Sequence, residues 1–376
     1  MKILIASIWM YPFPGSVSSH IRALKVMLER LSHSVDVVFP DYPECQDTSL
    51  IKFYEKARHS LADKVELKLR STKYDVISCH DVMSFLACLF LNVNAPQLLT
   101  VHGYMSDDAL AAKLVAENSA EEKYLRYCER IAYQNAPAII AVDANIRDYI
   151  KSIAGIKKII VLKSFVDMEL FKPMERDEGF KKKLGIPDNR FVILCPRRLT
   201  AKNGINYLLE AFRILLDRNV KAYLVIAGDG EERKNLINMA ESLGLTGHYL
   251  MLGSVNHSIM PMFYAIADVV CIPSVVIGNM SADTPISALE GMMCGKVVVA
   301  SDIGGIKDII KNGINGILVK QRDPYAIADG IMRVLRDEGL RHYLERNAYA
   351  TALQGHSSIF AAKIYLKIFE RLLGEN

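Results

Sequence analysis

The chain has 376 residues, of which 51% are hydrophobic and 23% charged, with a formal net charge of +4 and a pI near 8.5. That length suggests two domains at roughly 100–200 residues each, and this composition excludes a mainly disordered chain. The basic excess falls well short of a dedicated nucleic-acid binder, so no nucleic-acid partner is expected. It suits a protein that handles phosphorylated ligands or touches an anionic membrane surface.

The first ten residues, MKILIASIWM, are a short apolar run with one Lys and no small-residue cleavage site; they predict a first β-strand at Lys2–Ser7 rather than a signal peptide. Short β-branched runs follow at Val35–Phe39, Asp75–Cys79, Gln97–Val101, Ala138–Val142 and Ile159–Leu162. Helical periodicity lies between several of them. Ile21, Leu24, Leu28 and Leu31 recur at spacings of three and four, which predicts one apolar helical face. Apolar strands separated by helices indicate a parallel sheet covered on both sides.

A charged segment with Pro173, Gly185 and Pro187 spans Phe171–Asp188 and is expected to be a connector. The pattern then restarts. Strands are predicted at Phe191–Cys195, Tyr223–Ala227, Tyr249–Leu252, Val269–Ile272, Val297–Ala300 and Gly316–Val319. A helix face of Ile205, Leu208, Leu209, Phe212, Leu215 and Leu216 follows the first of these. A final helix, Ser358–Leu373, closes the chain.

The seven cysteines, Cys45, Cys79, Cys88, Cys128, Cys195, Cys271 and Cys294, are scattered and odd in number. They suggest neither a disulfide framework nor a zinc site, and a reducing, cytoplasmic setting is expected. No run of about 18 apolar residues predicts a membrane span. Leu50–Arg70, with Lys52, Lys56, Arg58, Lys64, Lys68 and Arg70, offers a basic helix face for peripheral contact with a membrane. A solvated helix face explains the same charges.

Ligands of doubly wound sheets bind at the carboxyl ends of strands. The loop Tyr11–His20 follows strand one, and Gly15 permits close backbone approach there. An ordinary turn capped by Ser18 or Ser19 accounts for it equally well, and the dinucleotide glycine fingerprint is absent. His102-Gly103 ends the fourth strand and is placed to touch a sugar hydroxyl or a phosphate. Arg197, Arg198 and Lys202 follow the first strand of the second array, where cations can clamp a diphosphate. Gly228-Asp229-Gly230 is a tight turn in which Asp229 can cap the next helix. Asp283-Thr284-Pro285 reads as a helix start with Pro at the first helical position. The first turn of that helix can hold phosphate oxygens. Glu290, farther along it, can accept hydrogen bonds from a ribose diol.

In their order and spacing, these segments resemble the "group 1" family of retaining glycosyltransferases over most of the chain. Further matching pieces are Val166-Asp167 through Pro173, Ala267-Asp268 through Ser274, Pro285 through Gly295, Gly304-Gly305-Ile306 and Asn312-Gly313 through Gly316. The resemblance implies a GT-B fold of two Rossmann-like, doubly wound domains facing across a cleft. The expected division is an acceptor domain over 1–172, a donor domain over 173–357, and a last helix, 358–376, packing back on the first. It implies that Arg198 and Lys202 hold the donor diphosphate, Glu290 the ribose, and the segment near Val255 the base. Backbone amides around Asp283, Thr284, Pro285, Ile286 and Ser287, and near Gly15 and Ser16, would contact phosphate or sugar, and His102 the transferred sugar.

The cations and a helix terminus take the part of a metal, so neither a metal nor any other cofactor is expected. The partners implied are a nucleotide-sugar donor and a glycan, lipid-linked or small-molecule acceptor. The family's two glutamates stand eight positions apart; here Ala282 occupies the first, with Asp283 beside it. Asn203 also separates Lys202 from Gly204, which shifts that loop by one residue. A nucleotide-sugar epimerase of the same fold and a non-catalytic nucleotide-sugar-binding protein are the alternatives. Acceptor-binding loops are expected at Ser84–Leu91 and Tyr104–Asp108.

Overall fold

Twelve strands form two six-stranded sheets in the computed structural model, which describes residues 1–9, 16–41, 49–155, 158–277 and 285–374. The first sheet contains β1 (Lys2–Ala6), β2 (Ser34–Val38), β3 (Val76–Cys79), β4 (Gln97–Val101), β5 (Ala138–Ala141) and β6 (Ile160–Val161). The second contains β7 (Phe191–Cys195), β8 (Ala222–Ala227), β9 (Tyr249–Gly253), β10 (Val269–Ile272), β11 (Val298–Ser301) and β12 (Ile317–Val319). Every pairing is parallel. All twelve lie within one residue of the runs read from the sequence.

The orders are β2-β1-β3-β4-β5-β6 and β12-β11-β10-β7-β8-β9. Each is a doubly wound sheet whose order reverses once, between β1 and β3 in the first and between β7 and β10 in the second. Reversal points leave a crevice at the carboxyl ends of the two strands concerned. Strand alternation covers the second sheet on both faces: Val192 and Leu194 enter one apolar cluster, Ile193 and Cys195 the other. On the helix Ile205–Asp217 the predicted face buries Ile205, Leu208, Leu209, Phe212 and Leu215.

The chain divides into two compact units, 1–164 with 358–376, and 165–357. The division precedes Lys172 because Val166 and Phe171 pack into the core of the second unit. The segment expected to be a connector is likewise folded. It carries the helix Glu178–Lys183, and the buried Lys181 ammonium donates to the carbonyls of Asp188 at 2.7 Å and Arg190 at 3.3 Å. The last helix, Ser358–Gly374, belongs to the first unit and buries Tyr365, Ile368, Phe369 and Leu372.

The six described cysteines are buried and free. No described helix is long and apolar enough to cross a membrane. The basic helix is present as Leu50–Ser71, but Arg58, Lys64, Lys68 and Arg70 pair with Glu55, Asp41, Asp36 and Glu66. Lys52 and Lys56 remain exposed on it.

Candidate functional site

In the second unit the loop after β7 is held from three sides. Gly228, at φ +156°, brings its backbone so close to Arg197 that an added Cβ would lie 2.0 Å from the Arg197 carbonyl oxygen. Leu199 N–H donates to the Asp229 carbonyl at 3.0 Å, and Val275 N–H, from the loop after β10, donates to the Lys202 carbonyl at 2.9 Å. Arg197 turns inward, donating to the Asn203 side chain and, at 3.0 Å, to Ser274 Oγ. Asn203 is buried and returns a hydrogen bond to the Arg198 carbonyl at 2.7 Å. The backbone of Arg198 is therefore pinned while its side chain, like that of Lys202, is exposed. The residue inserted between Lys202 and Gly204 is thus the one that locks the loop.

Residues Ala201–Asn203 form a 3-10 turn, and Gly204 caps it at φ +65°. A Cβ on Gly204 would stand 2.0 Å from the Pro273 carbonyl oxygen. Gly204→Ala is accordingly expected to cost about 3 kcal/mol or more, combining left-handed strain with overpacking. A urea titration reads this as a lowered midpoint; an unchanged midpoint would refute the close approach.

The helix carrying Glu290 is Ile286–Met293. Pro285 occupies its cap position rather than its first turn, with ψ 120° and no side-chain cap bond. The helix therefore starts one residue later than expected. Ser287 Oγ and Thr200 Oγ1 are buried with no hydrogen-bond partner among the described residues. Glu290 is 6% exposed. Its Oε2 accepts from the Tyr264 hydroxyl and its Oε1 meets His257 Nε2, both at 2.8 Å. The Ser287 carbonyl oxygen lies 3.0 Å from the same hydroxyl. Burial raises the Tyr264 phenol well above its ordinary range, so it stays a donor to Glu290. Both carboxylate oxygens are thus held in place and keep acceptor capacity for a ligand.

Val255 packs half-buried against the core of this unit, two residues before His257. Asp229 caps no helix; its Oδ1 accepts from Gly230 N–H at 2.8 Å, and the following helix begins after Glu232. Asp283 and Thr284 lie outside the described residues.

In the first unit three imidazoles meet at the carboxyl ends of β1, β3 and β4. His20 comes from the helix Ser16–Arg30 that follows β1, His80 from the end of β3 and His102 from the end of β4. His80 Nδ1 is 3.3 Å from His102 Nε2, and the His20 and His102 ring centroids are 4.6 Å apart and edge to face. His20 and His80 are buried, whereas His102 is half-buried. Burial and the neighbouring imidazoles push His20 and His80 well below the ordinary histidine range. Burial alone lowers His102 to about 4.

Asp81 joins β3 to the loop after β1: its carboxylate accepts from Ile8 N–H at 2.8 Å and from Ser84 N–H at 2.7 Å, capping the helix Val82–Phe90. Ser18 and Ser19 lie within the helix Ser16–Arg30 rather than at its start, and Ser18 Oγ donates to the Trp9 carbonyl at 3.0 Å. Gly15 lies outside the described residues, and Ser16 opens the helix. Of the segments expected to bind an acceptor, Ser84–Leu91 lies along the Val82–Phe90 helix, which is largely buried. Tyr104–Asp108 leads into the helix Met105–Ala111, tied down by Ser106 Oγ donating to Glu129 at 2.7 Å.

Sequence reasoning assigned no role to His80, His257, Tyr264 or Tyr365. His80 ends an apolar strand in the same way as His102, so a signal for it was available. His257 and Tyr264 acquire meaning only through their three-dimensional contacts with Glu290.

Comparison with known proteins matches residues 176–351 to the model of the glycosyl transferases group 1, and residues 17–170 to that of glycosyltransferase family 4. An uncharacterized glycosyltransferase of Methanocaldococcus jannaschii is 30% identical over 394 residues, covering 98% of each chain. The fold is similar to that of sucrose-phosphate synthase from Thermosynechococcus elongatus, with a TM-score of 0.76 and 18% identity over 100% of both chains. It is also similar to that of HepE from Anabaena solved with UDP-glucose, with a TM-score of 0.71 and 20% identity over 99% of this chain and 100% of that one.

Proposed function

The chain belongs to the group 1 glycosyltransferases, and from that premise we propose that it moves a sugar from a nucleoside-diphosphate sugar to a glycan, lipid-linked or small-molecule acceptor, with retention at the anomeric carbon and without a metal ion. The observation that carries this reading is the pair of exposed cations, Arg198 and Lys202, on a loop locked beside the reversal point of the second sheet. The UDP-glucose bound by the HepE fold relative lends support to a nucleotide-sugar donor.

Breaking the anomeric bond builds negative charge on the departing diphosphate, and fixed cations and amides can stabilise that charge. Arg198 offers a planar fork and Lys202 a point charge. The amides at Ile286 and Ser287 add donors at a helix start. Pro285 occupies the cap of that helix, and backbone groups around it and around Asp283 and Thr284 contact phosphate or sugar. Glu290, held by Tyr264 and His257, takes the ribose hydroxyls, and Val255 lies against the base. His102 contacts the transferred sugar, and backbone amides near Gly15 and Ser16 contact phosphate or sugar. In a retaining displacement on one face, a phosphate oxygen of the departing diphosphate accepts the acceptor's hydroxyl proton as the new glycosidic bond forms. That route needs no covalent nucleophile.

A thermal-shift screen with uridine, guanosine and adenosine diphosphate sugars, in the presence of EDTA, tests the donor. One nucleotide series should raise Tm by roughly 5 °C at a hundredfold excess over Kd. Incubating that donor with acceptor panels should release nucleoside diphosphate and glycosylated product. Absence of any shift, or a shift that EDTA abolishes, would count against the reading.

A further inference from the structure

The carboxyl ends of β3 and β4 carry a buried file of polar side chains in the first unit. Ser78 and His80 are two residues apart, as are Thr100 and His102, so each pair lies on one face of the sheet. Ser78 Oγ is 3.1 Å from His80 Nε2, and His80 Nδ1 is 3.3 Å from His102 Nε2. Tyr365, from the last helix, stacks on His80 with centroids 5.9 Å apart and planes at 14°. Its hydroxyl sits 2.9 Å from Thr100 Oγ1 and 3.1 Å from His20 Nε2.

We propose that His80, backed by Ser78, is a positioning residue for His102: the Ser78–His80–His102 chain places the His102 proton on Nδ1 and so presents a hydrogen-bond donor on the side of the ring away from His80. The direction follows from Ser78. Its hydroxyl is fully buried, and His80 is its hydrogen-bond partner among the described residues. A buried O–H left without an acceptor is costly, so Ser78 donates to His80 Nε2. A neutral imidazole carries one proton. His80 must then hold its proton on Nδ1 and donate to His102 Nε2, which leaves the His102 proton on Nδ1. Burial keeps both rings uncharged near neutral pH.

The same three histidines place one nitrogen each within 4.8 Å of one another, a spacing that invites a metal. The hydrogen bonds argue for the relay instead. His80 and His102 already use ring nitrogens on each other, and His20 uses Nε2 on Tyr365.

The significance of the His102 donor for a sugar rests on the proposed transferase reading; the tautomer does not. The test is long-range proton–nitrogen NMR on the full chain labelled with 15N-histidine, with His102 and His80 signals assigned from His102→Gln and His80→Asn variants. At pH 7 both rings should appear as the Nδ1–H tautomer. Ser78→Ala, which leaves the ring volumes intact, should shift His102 toward the mixed tautomers of free imidazole although Ser78 does not touch it. Three results would overturn the proposal: an Nε2–H tautomer at His102 in the unaltered chain, His102 signals indifferent to Ser78→Ala, or stoichiometric metal in the purified protein whose removal by EDTA moves these signals. Because the readout needs no substrate, its failure is distinguishable from failure of sugar transfer.

Discussion

Arg198→Ala and Lys202→Ala are each expected to lower kcat/KM for donor turnover by about a hundredfold or more, with an unfolding transition close to that of the unaltered chain. The magnitude is that of losing one preorganised donor to a developing anion. The preserved fold follows from where these side chains point. Both are exposed, and the loop is held instead by Asn203, by the Val275 amide and by the inward guanidinium of Arg197. Arg197→Ala provides the contrast. It removes the hydrogen bonds to Asn203 and Ser274, so it should lower thermal stability as well as activity. Stopped assays of nucleoside diphosphate release, run beside thermal melts, separate the two outcomes. Full activity in both Arg198→Ala and Lys202→Ala would remove the diphosphate clamp from the proposal.

The contrast between Arg197 and Arg198 also marks the limit of reading this site from sequence. Both are arginines, adjacent, at the end of the same strand. Which one faces solvent depends on a buried Asn203 and on a Ser274 supplied by the loop after β10, a strand that lies far along the chain but beside β7 in the sheet. The strands themselves were legible because parallel strands buried on both faces must be continuously apolar. Val192–Cys195 and Val269–Ile272, fully or almost fully buried, show that rule at work. Helix faces were legible for the same reason, with Leu208, Leu209 and Phe212 at helical spacing.

Element ends were less legible. Pro285 suits a first helical turn by propensity, yet its extended backbone leaves it one residue outside. The folded segment before β7 was not legible because Lys181, a residue usually exposed, is buried against carbonyls of Asp188 and Arg190 in the stretch that leads into β7. Glu290 was found by its place on a helix. The Tyr264 and His257 that hold it come from the segment just beyond β9, at no spacing that marks a partner. The three-histidine cluster depends on strand order: β1, β3 and β4 are neighbours in the sheet although β2 intervenes in sequence.

That cluster should make the first unit acid-labile, and His33, lowered chiefly by burial, adds in the same sense. Burial depresses His20, His80 and His102 in the folded chain, His102 to about 4 from a reference of 6.5. As pH falls below 6.5, the unfolded chain takes up protons on these rings that the folded chain refuses. Stability is therefore complete above that pH and is lost progressively as pH falls toward the folded values. Each ring contributes about 1.4 kcal/mol per pH unit within its window, against a total of roughly 5–15 kcal/mol for a folded protein.

Carboxylates held low by hydrogen bonds, Asp36 and Glu55 among them, add their own acid lability only near their lower reference values of 3.8 and 4.5. Asp81 and Glu129 act oppositely, since burial raises both and the folded chain binds their protons first. The difference between the unaltered chain and His102→Gln cancels these backgrounds and reports His102 together with its effect on the neighbouring His20 and His80. Between pH 7 and 5 the unaltered chain should lose Tm more steeply than the variant, by an amount equivalent to about 1.4 kcal/mol for each pH unit below 6.5. Parallel Tm profiles for the two proteins would mean that His102 titrates in the folded chain as it does in water, and the buried uncharged cluster would have to be abandoned.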